Sequence, residues 1–223
     1  MTQTSQAVSK ITGALLILGA VGTLFLMSHH PTLGTPEFHS LAEEVRGEAR
    51  GNQLVHGAMI AIMLGYYFGM VLLARQVGRD RWQITLGLIF FALATAMMTL
   101  APLMSGFLIP ELAKGVAETQ EGRETFRVLI NMAHAMNQVF ANTGVVAFGA
   151  GIALFGLALL GEEGMNRITG IAGLLVGIVL MMGMLMGHIY LDVHGMMGVA
   201  GGMGVWFALA GLLLIRAGGQ AES

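Results

Sequence analysis

The sequence predicts an all-α integral membrane protein, a six-transmembrane-helix bundle, and three observations carry that expectation. Of 223 residues, 55% are hydrophobic and only 11% are charged, where soluble domains carry about 25% charged residues. Six apolar stretches reach the roughly 20 residues that a helix needs to cross the hydrocarbon core. No alternating pattern of about ten residues, the mark of a barrel strand, appears anywhere. A water-soluble globular enzyme, a disordered tail and a nucleic-acid binder with a basic face are thereby excluded. The absence of cysteine excludes disulfides, iron–sulfur clusters, thiolate zinc sites and covalently attached haem.

The first span covers residues 11–28. Its apolar core of roughly 17 residues is longer than a signal-peptide core, and no small-x-small cleavage site follows it, so it reads as an uncleaved helix. Thr35–Pro36–Glu37 is a helix-start signature, with a capping hydroxyl, a first-turn proline and an acid at the positive end of the dipole. Phe38, Leu41, Ala42 and Val45 then recur at helical spacing, which predicts a short amphipathic helix lying on the membrane surface. The second span covers residues 54–73. A tight connection with Arg75, Arg79 and Arg81 leads into the third, residues 86–108. Residues 111–128 are expected to extend the fourth span, 138–160, outward as a polar helix. The run between Arg167 and Arg216 is nearly uncharged and about twice a span in length. It must reverse around residues 190–194, giving spans 168–187 and 196–215. No linker or shift in composition marks a second domain.

Six basic residues fall on the short-loop side and five on the other, while the long-loop side holds nine of the 13 acids. Loop length and acid balance together place both termini in the cytoplasm, the protein being integral to the inner membrane. Glycine pairs four apart, at Gly65–Gly69, Gly173–Gly177, Gly183–Gly187 and Gly198–Gly202, allow close helix approach. Their spread over several helices points to packing within the bundle, with oligomerisation through such faces the other reading. A histidine followed by small residues and methionine recurs at His56, His134 and His194, which suggests three hairpins of related design.

All seven histidines fall on the outer side. A rise of 1.5 Å per residue puts His29, His56 and His194 roughly 28–33 Å from the basic residue at the far end of each span, hence at similar depth, with His188 close by. Histidine near lipid is costly unless partnered, and imidazole is the commonest neutral metal ligand. His56, His134, His188 and His194 are therefore candidate cofactor ligands, and His29, His56, His188 and His194 candidate metal ligands. His30 and His39 read as solvated loop residues. Asn131, His134, Gln138 and Asn142 share one stripe of the fourth span, and the amides of Gln138 and Asn142 need partners inside the bundle. Asp192 could orient His188 or His194, or serve as a plain N-cap.

The leading expectation is a haem b, or another redox metal, held near the outer surface and exchanging electrons with quinone or a periplasmic partner. In general plan alone the bundle is similar to small membrane proteins that carry haem b. Met181, Met182, Met184, Met186, Met196 and Met197 surround the last turn, and soft thioethers beside imidazoles suit copper(I), although methionine is also a flexible filler. A non-catalytic membrane subunit or assembly factor is the third reading. Whether the protein is an enzyme stays open. Phosphate-binding loops, nucleophile elbows and paired intramembrane acids are absent from the sequence.

Overall fold

The computed structural model describes residues 3–29, 40–78, 80–117 and 119–219. Among them every regular element is helical: α1 (Gln3–Ser28), α2 (Leu41–Val77), α3 (Trp82–Leu103), a π-helical turn (Met104–Leu108), α4 (Ile109–Lys114), α5 (Gln120–Leu159), α6 (Met165–Leu185) and α7 (Val193–Gly219). With α3, the π turn and α4 taken as one continuous rod, six helices are long and apolar enough to cross a membrane. His30, His39 and the Thr35–Pro36–Glu37 helix start lie outside the described residues.

Two elements outrun their predicted spans. Helix α2 has 37 residues and α5 has 40, so each is roughly 55–60 Å long at 1.5 Å per residue, nearly twice a hydrocarbon core. Leu41, Ala42 and Val45 therefore belong to the first turns of α2 and not to a separate surface helix. Its N-cap is Ser40, whose hydroxyl accepts from the Glu43 amide at 3.3 Å. The 111–128 segment also divides. Glu111–Lys114 continues the α3 rod as α4, and only the part from Gln120 onward extends α5.

These overhanging pieces pack on one another. Ala42 and Val45 of α2, Ile109 and Ala113 of α4, and Phe126, Ile130 and Ala133 of α5 form a small buried core of their own. The guanidinium of Arg46 donates to the carbonyl of Ala113 at 3.0 Å and ties α2 to α4. Of the apolar face that the sequence assigned to a lipid surface, Ala42 and Val45 are thus covered by protein and Leu41 is exposed, while Phe38 lies outside the described residues. The result is a cap on the end of the bundle away from the N-terminus of α1.

Below the cap, glycine sets the helix spacing. On α1 and α7, Gly13 meets Gly211, and a methyl group on either would strike the other's carbonyl. Gly156 on α5 stands against the backbone of Gly170 and Leu174 on α6, and Gly149 against Gly177. Helices α1 with α7, α5 with α6, and α3 with α5 are the most closely packed pairs. Of three successive hairpins, only α3 with α5 is among these tightest pairs, since α6 lies chiefly on α5 and α7 on α1. Phe91, Phe148, Phe155, Trp206 and Phe207 interlock at the centre with ring centroids about 5.4–6.4 Å apart. The Trp206 indole donates to the carbonyl of Thr169 at 3.3 Å, and Tyr66 stacks on Phe207 at 3.9 Å. Outside, Ile11, Leu15, Leu18, Val21 and Phe25 leave one side of α1 uncovered and apolar, as a lipid-facing surface would be.

Candidate functional site

Where the cap joins the bundle, the helices separate around a cavity of about 530 Å3. Glu48, Asn52, His56, Met59 and Met63 line it from α2, and Met98, Ala101 and Pro102 from α3. Asn131, His134, Asn137, Gln138 and Ala141 face it from α5, Ser105 from the π turn, and Leu191, Asp192 and Met196 from the end that opens α7. Its polarity is graded. Glu48, Asn131, His134 and Asp192 are exposed at the rim; Asn52, Ser105, Asn137 and Gln138 are partly buried; His56 is 5% exposed. Met27, Met59, Met63, Met98 and Met196 share the apolar wall with Leu41, Val45, Ile109, Ile130 and Leu191.

The inner ring is held by the π turn. A π segment widens the helix by a residue and releases backbone carbonyls from their normal partners. Pro102 and Pro110 flank it and contribute no amide hydrogen to the ladder. The freed carbonyl of Ser105 accepts from the Asn52 side-chain amide at 2.8 Å, while its hydroxyl accepts from the Asn137 amide at 2.6 Å. Ser105 thus ties α2 to α5 across α3. One turn on from Asn52, His56 donates its Nδ1–H to the Asn52 carbonyl at 2.8 Å. A carbonyl can only accept, so that contact fixes the proton on Nδ1 and leaves Nε2 the basic nitrogen of the neutral ring. Gly106 lies directly beneath the imidazole, and a methyl group there would collide with the His56 side chain. Gln138 closes the ring by donating to the carbonyl of Leu191 at 3.3 Å, which fastens the turn before α7 to α5.

The candidate ligands part company at this point. His56 and His134 line the same cavity, on facing helices. His188 lines a separate open groove of about 600 Å3 between α6 and α7, together with Tyr190, Gly198 and Gly202. His194 is exposed on the first turn of α7 and lines neither. His29 folds back on its own helix: its Nδ1 lies 2.9 Å from both the Phe25 carbonyl and the Ser28 hydroxyl, and its ring packs on Phe25. Among the described residues, no group of three or more histidines and carboxylates could share a metal ion. The directions of these histidines around their helix axes differ.

The amides and the acid fare unevenly. Asn131, His134 and Gln138 do face one space, whereas Asn142 is exposed and lines neither cavity. Asp192 caps α7 by accepting from the Gly195 amide at 2.8 Å and also borders both cavities. The methionine set shifts as well. Of Met181–Met197 only Met196 reaches the cavity, and Met27, Met59, Met63 and Met98 take the others' place. Sequence reasoning missed Glu48, Asn52, Ser105 and Asn137. Glu48, Asn52, His56, Met59 and Met63 do recur at spacings of four, four, three and four, a helical stripe.

Comparison with known proteins gives no match: no family model, no curated protein and no solved structure is similar to this chain.

Proposed function

We propose that this is an integral membrane protein, with both termini in the cytoplasm, that binds a small amphipathic molecule in the cavity between cap and bundle. The observation that carries this reading is the graded lining. A ring of amides and one buried histidine, held by Ser105, shares the cavity with an apolar wall to which five methionines contribute. Binding sites for small molecules commonly combine an apolar enclosure of this size with a few fixed polar groups. Placed in the outer leaflet, the cavity would receive a ligand whose apolar body lies among the thioethers and whose head meets the amides. Methionine suits that part, since its flexible, polarisable side chain fits varied shapes.

Native mass spectrometry of protein released from detergent micelles tests the reading. Wild type should retain a bound small molecule that Ala141→Phe, which fills the floor, loses while keeping its helical circular dichroism. Equal occupancy in both proteins would contradict it.

A redox cofactor is the second reading, and the sharing of one cavity by His56 and His134 favours it. His56 and His134 would hold a haem b, with quinone or a periplasmic protein as redox partner; in a copper(I) site, His56 would act with Met59, Met63 and Met98. A Soret band lost in both His56→Ala and His134→Ala, or copper retained through purification, would support it. A colourless, metal-free protein that still carries its small molecule would leave the first reading alone.

A further inference from the structure

We infer that the molecule taken up by this cavity carries a positively charged, hydrogen-bond-donating head on an apolar body, an amphipathic amine. The inference rests on the cavity being a binding site and concerns what it selects. Two carboxylates border the space, Glu48 on α2 and Asp192 at the start of α7. Among the described residues, neither lysine nor arginine lines it. An anionic head would meet two like charges with no basic partner, whereas an ammonium at the rim meets two opposite charges, with charge-assisted hydrogen bonds to either carboxylate.

The neutral groups lean the same way. Asn52, Asn137 and Gln138 each donate one side-chain N–H to an oxygen of the protein's own. Each amide is left with one N–H against the two lone pairs of its oxygen. The remaining capacity of the wall is therefore weighted toward acceptors, which a protonated amine with three N–H donors matches and a carboxylate does not. Below this ring the apolar wall suits a hydrocarbon body. A quaternary ammonium would satisfy the charge and leave the acceptors unmatched.

Three probes with the same eight-carbon chain separate these terms: octylammonium, octanol and octanoate. Each is titrated into protein labelled with 13C at the methionine methyls, in maltoside micelles, and the signals of Met59, Met63 and Met98 are followed. Octylammonium should shift them saturably and bind about tenfold tighter than either other probe, and Glu48→Gln combined with Asp192→Asn should remove most of that advantage while leaving octanol unchanged. Both substitutions are at exposed positions, and asparagine still caps α7. Octanol or octanoate binding as tightly as octylammonium would overturn the charge inference and leave the cavity a binding site. Failure of all three to shift the methyls would overturn both.

Discussion

The two ends of the bundle solve the same packing problem in opposite ways. At mid-bundle and toward the termini, glycine brings helix backbones into contact and five large aromatic rings fill what remains, with Trp206, Phe207 and Phe155 fully buried. At the cap end the same helices diverge, and amides, a histidine and flexible methionines line the gap. Helix α5 runs through both regions, carrying Gly149 and Gly156 against α6 in one and Asn137 and Gln138 in the other. The lesson is that small residues at a helix contact give a dry, rigid interface, while the cavity is kept open by side chains already committed to one another. Rigidity in the first region lets the second hold polar groups in place.

Substitutions that erase this contrast should have unequal costs. Trp206→Ala removes the centre of the aromatic cluster and its bond to Thr169, and should cost the most, about 3–5 kcal/mol, read from reversible unfolding in mixed micelles. Gly156→Val forces a branched side chain against the backbone of α6, and should cost about 1–3 kcal/mol in the same assay. In the cavity, Asn137→Ala loses one bond to Ser105 and should cost only about 1 kcal/mol. Its larger effect should be on the bound molecule, because α5 is no longer tied to the π turn. His188→Ala and His194→Ala should change neither stability nor occupancy measurably, since both rings are exposed and outside this cavity. A loss of bound molecule in either would restore the idea of one shared histidine site.

How far the sequence could be read follows the same divide. Hydropathy alone locates the membrane-length helices, because the run from Arg167 to Arg216 has to fold back near Asp192, and the chain does turn there. The start of α2 was hidden. Residues 41–53 are polar enough to resemble a surface helix, and their partners, α4 and the beginning of α5, are distant in the chain. Cutting that helix at Leu54 also cut the stripe from Glu48 to Met63, which holds half of the polar ring. For the histidines, helical rise made only an expected depth legible. Direction was not, since it depends on which helices become neighbours, and nothing local to His29 or His194 reveals that α1 packs on α7. The π turn has only Pro102, Gly106 and Pro110 as signals, and these are equally common in ordinary kinked helices.

The contrast between a dry interior and an accessible cavity is open to one direct measurement. Because the chain has no cysteine, a single introduced thiol can be followed alone. Ala141 and Ala147 lie on α5 and are 6% and 3% exposed, yet only Ala141 lines the cavity. With 2-aminoethyl methanethiosulfonate, a small cationic thiol reagent, Ala141→Cys should be modified in the folded protein while Ala147→Cys stays unmodified until denaturant is added. Two thiols that are equally inert, or equally reactive, would contradict the existence of an open binding cavity above a closed core.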